Sequence, residues 1–441
     1  MTHASNNKQQ ITFRNYLLLV IPLTLSTITV PILGAIDTAL VGHLPNPSFI
    51  AGVTISTIIF NTLYWLFGFL RISTTSFTAQ ALDNLNHLKS AFLRPLFIAL
   101  LLGILFIIGK SLIFDIFIKV SNPSAEVYFY AKEYFDILIF GAPFTLINYV
   151  LIGFLMGRSY VKLVLYLQLL INIVNIILSI LFVWYFNMDI KGLALSTLLA
   201  QISMMIVATI LVYRMGMFDI GIDDLKEYFS WASLKEIILI NSDLMIRTVC
   251  LLTVINLFIS NSTALGTEIL AANSILFQIQ YLMAYIYDGF ANAASILSGQ
   301  AKGKKDINLY KQTIKYAIIS GCGISLCLSL IWITLDQYIL GLFTNQANIL
   351  ALAIEYSIWM AIFPIVVSMG LMIYGVFCGI NYTSSIRNSM IIAVIIWLIS
   401  SFLLIPNFGN DGIWISFLLF CLARSLLVFW LNLSKKIFFR D

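Results

Sequence analysis

The chain has 441 residues, of which 60% are hydrophobic and only 10% charged, and its mean hydropathy is +0.97. Soluble domains carry about 25% charged residues, so too little charge is present to clothe a water-facing surface of this size, and a soluble protein is excluded. The net charge of +5 is not a nucleic-acid signal, because the basic residues fall in short gaps between apolar runs, where membrane orientation requires them.

Runs of about 20 apolar residues match a hydrocarbon core of about 30 Å. Twelve such runs follow one another, at about 16–42, 50–79, 92–118, 127–156, 161–186, 191–213, 234–260, 267–299, 312–335, 347–379, 386–405 and 411–433. The first fifteen residues are polar. The run after them is too long for a signal-peptide core, so it reads as a retained helix. One long charged connection, 214–233, separates the sixth run from the seventh and reads as a linker. The expected organisation is a tail (1–15), an N-lobe (16–213), the linker, a C-lobe (234–433) and a second tail (434–441). The five cysteines lie inside apolar runs and form no C-x-x-C pair, so neither a disulfide framework nor a zinc site is expected.

The two halves repeat. Phe77-Thr78-Ala79-Gln80-Ala81 answers Leu297-Ser298-Gly299-Gln300-Ala301, and Gly153, Gly157 and Tyr160 answer Gly375, Gly379 and Tyr382. Six crossings per unit leave both units in the same orientation, so the repeat is parallel and a central cleft between two six-helix bundles is expected. Of the 25 basic residues, 18 fall on the side of both tails and of the gaps after even-numbered runs. That side is therefore the cytoplasm.

Charged groups inside the runs are few and costly, about 2.5–3.5 kcal/mol each at the bilayer centre. Asp37 lies in the stretch that ends the first run, with no charged partner three or four residues away. Burial away from water favours its protonated form, which suits a proton carrier. Pro31 and Gly34, just before it, weaken the helix ladder and mark a hinge. Arg71 could snorkel to the near interface. Asp243 and Arg247, four apart, could neutralise each other on one helix face. Arg424 could serve packing. Asp288 stands alone among Tyr285, Tyr287 and Gly289. Asn172, Asn175 and Ser179 on the fifth run, with Ser196 and Thr197 on the sixth, form a polar stripe that could tune Asp37 or simply join helices. Gly103 to Gly109-Lys110-Ser111 imitates a P-loop, but its gap has the wrong length and it sits in an apolar helix. No nucleotide or other cofactor site is expected, and no enzyme.

Three stretches carry a family resemblance. They are Asp37-Thr38-Ala39-Leu40-Val41-Gly42-His43-Leu44, Phe69-Leu70-Arg71-Ile72-Ser73-Thr74-Thr75-Ser76, and Ala284-Tyr285-Ile286-Tyr287-Asp288-Gly289-Phe290-Ala291. With Asp243 to Arg247, they resemble the multidrug and toxic compound extrusion transporters, DinF-like branch, along nearly the whole chain. The resemblance implies an all-α membrane protein of twelve helices in two lobes. It implies efflux of amphipathic, often cationic compounds in exchange for protons or Na⁺, with Asp37, Asn175 and Thr197 as the coupling residues. Arg71, Asp243, Arg247, Tyr285 and Asp288 become candidates for the cleft. Ser179 stands where many members have a second aspartate, which weakens a Na⁺ site and favours protons. Ser295 stands where some DinF-like chains have a glutamate. The expected partners are the small-molecule substrate and the bilayer, with no nucleic acid, in a monomer of the bacterial inner membrane with both termini cytoplasmic. A lipid-linked oligosaccharide flippase of the same superfold, or a Na⁺-coupled antiporter, is the alternative.

Overall fold

The computed structural model describes residues 11–42, 47–219 and 228–433. Within its helices the side chains of Ala35, Asp37, Thr38, Ala39 and a few residues at helix ends lie outside the described set. The linker residues 220–227 and the tail from 434 also lie outside it.

The described backbone is helical and carries no strand. The N-lobe holds α1 (Phe13–Gly42), α2 (Pro47–Leu66), α3 (Phe69–Gln80), α4 (Leu85–Ile108), α5 (Lys110–Ser121), α6 (Ala125–Leu138), α7 (Ala142–Gly157), α8 (Val161–Ile180) and α9 (Asp189–Arg214). The C-lobe holds α10 (Trp231–Ala264), α11 (Thr267–Gly303), α12 (Ile307–Gly341), α13 (Ala347–Glu355), α14 (Ile358–Gly379) and α15 (Thr383–Leu433). Among the described residues, eleven helical segments are long and apolar enough to cross a membrane. The last, Thr383–Phe429, spans 47 residues, or about 70 Å at 1.5 Å per residue, which is twice what a crossing needs. It breaks at Gly409, where φ is 55°, a left-handed conformation that suits glycine. A Cβ on Gly412 would lie 2.6 Å from the Leu404 carbonyl oxygen. Residues eight apart in one straight helix stand about 12 Å apart, so the chain turns back and makes two crossings, twelve in all.

Some boundaries differ from the expected ones. The run 347–379 is broken at Tyr356 and Ser357 into α13 and α14. The break is held by Trp332, whose indole N–H donates to the Ser357 carbonyl at 2.8 Å, and by Asp336, which accepts from the Ser357 hydroxyl at 2.9 Å. Both sides of that break are apolar, so a run of apolar residues does not mark it. The third crossing begins at Leu85, before the apolar run, because Asn84 caps α4 by accepting from the Asn86 and His87 amides. Its counterpart, Asp306, caps α12 through the Asn308 and Leu309 amides.

The repeat governs packing inside each lobe. Lipid tails are as apolar as leucine, so helices in a bilayer associate by close approach at small residues. Alpha7 lays Gly153 and Gly157 on α3, where a Cβ would stand 2.6 Å from the carbonyl oxygens of Arg71 and Thr75 respectively. Alpha14 lays Gly375 and Gly379 on α11, 2.2 and 2.1 Å from the carbonyls of Ala291 and Ser295. The outer faces carry exposed Ile104, Leu105, Ile108, Leu326, Leu330 and Leu403, as a lipid-facing belt requires.

Candidate functional site

In the N-lobe, α8 and α9 join through a buried polar stripe. The Asn175 amide donates to the Thr197 hydroxyl at 3.0 Å, and Ser179 and Ser196 share a hydroxyl pair at 2.7 Å. Asn172 reaches α1, donating to the Thr29 carbonyl at 3.4 Å. Among the described residues, nothing donates to the buried side-chain oxygens of Asn172 and Asn175. Thus two acceptors lie unspent on α8, which packs against α1, the helix carrying Asp37. Alpha1 runs as one helix through Pro22 and Pro31. Gly34 has nothing within 4 Å of where a Cβ would be, so packing alone does not require glycine there. The Asp37 side chain lies outside the described residues.

The second group of residues lies on the seam between lobes. Arg71 of α3 pairs with Asp288 of α11 at 3.2 Å, and Asn292 donates to the same carboxylate at 3.2 Å. Arg71 therefore bridges the lobes rather than snorkelling, and Asp288, with no charged residue near it on its own helix, finds its cation on the other lobe. Their side chains keep 27% and 34% of their exposure, so the pair is only partly buried on the seam. Tyr285 lies one turn before Asp288, and its backbone carbonyl accepts from the Thr27 hydroxyl of α1 at 2.8 Å. The expected pair of Asp243 with Arg247 does not form. Asp243 is buried and accepts from Arg387 and from Thr383, both on α15. These two donors converge on it from a neighbouring helix and leave Arg247 free. Arg247 lies over the Tyr374 ring instead, 4.3 Å from its centroid.

The lobes close at the end from which α1 starts. Gln80 donates to the Gly379 carbonyl at 2.7 Å, and Gln300, its repeat partner, donates to the Ser159 hydroxyl at 2.8 Å. Ser76 also donates to the Gly379 carbonyl, at 3.2 Å, and to Asn381. Ser159 and Asn381, themselves repeat partners, both sit at positive φ (62° and 59°) in the turns that receive these bonds. Trp65 and Tyr281 meet edge-on at 5.6 Å higher on the seam. Toward the other end the bonds turn inward, as in Asn273 with Asn410 inside the C-lobe. Each clasp bond is worth about 1 kcal/mol net. The double variant Gln80→Ala, Gln300→Ala should therefore move the open/closed equilibrium at this end about 5- to 30-fold toward open. Spin labels at the exposed Lys162 and Lys311 positions, in a cysteine-free background, should show a longer distance in the variant; an unchanged distribution would remove the clasp from the closure.

A family profile described as MatE matches residues 22–181 and again 245–403. The chain belongs to the MatE family. The two matches fall on the two halves, so the repeat read in the glycines and glutamines is the family's own unit used twice. The chain is 31% identical over 411 residues to DNA damage-inducible protein F of Escherichia coli (strain K12), covering 92% of this chain and 89% of that one. Among solved structures, a multidrug resistance MATE family transporter in an outward-facing conformation matches with TM-score 0.86 and 20% identity over 94% of both chains. A MOP superfamily transporter from Pyrococcus furiosus matches with TM-score 0.86 and 18% identity, covering 95% of this chain and 94% of that one. At these identities the structures speak for the fold, which is the two-lobe fold of MATE transporters.

This MatE chain is accordingly a multi-pass membrane transporter and not an enzyme. Three features of its seam were not among the residues the sequence singled out as a site. Tyr374 carries no charge and looks like any core aromatic. The glutamine clasp was visible as a repeat, yet its partners are turn atoms that no motif records. Arg424 was noticed as an intramembrane charge, and such a charge is by default a functional candidate; it lies over the Phe420 ring at 5.8 Å.

Proposed function

We propose that the chain exports small amphipathic organic compounds across a bacterial cytoplasmic membrane in exchange for protons, by alternating access of its two lobes. Asp37 is the proton carrier in this reading, Asn175 and Thr197 tune it, and Pro31 with Gly34 let α1 adjust. The observation that carries the reading is the buried stripe on α8 and α9, with the Asn172 and Asn175 oxygens left without donors beside α1. A protonated carboxyl brings the O–H donor that such acceptors lack, while an ionised one adds repulsion. Binding and losing a proton thus changes how α1 sits on α8. Coupling needs only that proton and substrate favour opposite states of the lobes.

The basic residues at the clasp end support a cytoplasmic placement of both termini. On that placement the closed clasp is the outward-facing state, with the protein acting as a monomer in the bilayer. Ser179 beside Ser196 supplies hydroxyls where a hard cation wants carboxylates, which favours protons over Na⁺. The test is transport in proteoliposomes under a proton gradient and a Na⁺ gradient imposed separately. Efflux should follow the proton gradient alone. Efflux driven by Na⁺ at equal pH on both sides would overturn the coupling.

A further inference from the structure

Two guanidinium groups of the C-lobe, Arg247 and Arg424, lie beside Tyr374, which is itself within electrostatic reach of the Arg71–Asp288 pair on the seam. Asp288 is engaged by Arg71 and Asn292. Asp243, the carboxylate nearest Arg247 in sequence, is held by Arg387 and Thr383. Among the described residues no carboxylate pairs with Arg247 or Arg424. Yet these two arginines stand within electrostatic reach of each other and of Tyr374, and the buried Nε of Arg424 has no hydrogen-bond acceptor. Two like charges so placed repel each other, and burial of the Arg424 Nε limits the screening between them. The seam therefore holds a formal surplus of two positive charges and at least one donor left unmet, with aromatic rings beside them.

We propose that the transported compound is an organic anion. Its carboxylate, sulfonate or phosphate head rests between Arg247 and Arg424, and its apolar body lies along Tyr374, Tyr285 and Trp65. This rests on the export reading above and narrows its substrate class; the cationic compounds that the family resemblance implies would meet two unpaired guanidinium groups. An anion supplies what the site lacks, because guanidinium groups take planar oxyanions through two parallel hydrogen bonds. Desolvated in the seam, such a head binds only where its charge is answered, so the pair selects by sign of charge while the aromatic walls tolerate many shapes. The exchange also acquires an electrical signature. An anion leaving and a proton entering both carry positive charge inward, so an inside-negative potential drives the cycle. A monovalent cation exchanged for one proton would move no net charge.

The experiment uses two permanently charged probes with one body, 4-phenylbutyl sulfonate and 4-phenylbutyl trimethylammonium. Binding to the purified protein is read by quenching of tryptophan fluorescence with no gradient present. Sulfonate should bind at least about tenfold more tightly, the factor that 1.4 kcal/mol gives. Arg247→Gln and Arg424→Gln should each weaken sulfonate binding about fivefold or more and leave ammonium binding equal or tighter. Arg247→Lys and Arg424→Lys should restore most of the sulfonate affinity, which a merely structural loss would not do. Equal or tighter ammonium binding by the native protein would overturn the proposal, and that comparison decides even where a glutamine variant does not fold. Unchanged sulfonate affinity in both folded glutamine variants would overturn it too. In proteoliposomes, arginine-dependent sulfonate transport that ignores the proton gradient would sink the coupling and leave the anion site standing. Proton-driven efflux of the ammonium probe would do the reverse.

Discussion

Asp37→Asn should reduce pH-gradient-driven efflux at least about tenfold, to the level of liposomes without protein. The substitution keeps the shape of the side chain and removes its capacity to exchange a proton. In the proposed reading an asparagine amide supplies a donor where the protonated carboxyl would, so the variant should fold and bind its substrate. What it loses is the alternation between a form that donates and a form that repels. The helix then keeps one relation to α8, and the lobes have no proton-dependent bias. Melting temperature and substrate binding near the native values, with transport abolished, would separate a coupling role from a structural one. Native rates of gradient-driven efflux in this variant would remove Asp37 from the mechanism.

Gly375→Val should be the most damaging single change to assembly. A Cβ there would stand 2.2 Å from the Ala291 carbonyl oxygen and 2.8 Å from the Ala291 Cα. Both obstacles are backbone, so no rotamer change relieves them, and α14 must move off α11. Overpacking of a well-packed site costs about 1–3 kcal/mol when side chains can give; here a whole helix contact has to part. The protein should melt at least several degrees lower, or fail to elute as a monodisperse species. Gly153→Val, against the Arg71 carbonyl within the N-lobe, should behave alike. Gly34→Ala is the matched control, because its Cβ would meet open space. It should keep the native melting temperature, and a slowed exchange in it would speak for the hinge. A native melting temperature in Gly375→Val would contradict the close approach of the two helices.

Much of this architecture is written in the sequence. Apolar run lengths give the crossings, and small residues at matching places in the two halves give the repeat. The reason is physical: Gly153, Gly157, Gly375 and Gly379 are places where only a hydrogen fits against a neighbouring carbonyl. What the sequence hides is which side chain answers which. Asp243 and Arg247 are spaced as partners on one helix, but two donors on α15 outcompete that pairing. Asp288 looks solitary until α3 is laid across the seam. The clasp is hidden in the same way, because Gln80 and Gln300 bond to a carbonyl and a hydroxyl in turns of the opposite lobe.

The most direct test of proton exchange is to count the protons themselves. Purified protein in weakly buffered solution with a pH-sensitive dye is mixed with a transported compound. Binding should release about one proton per polypeptide from the native protein, because substrate and proton favour opposite states, and none from Asp37→Asn. Substrate binding that releases no proton from the native protein, or the same amount from the variant, would contradict the exchange of substrate for a proton at Asp37.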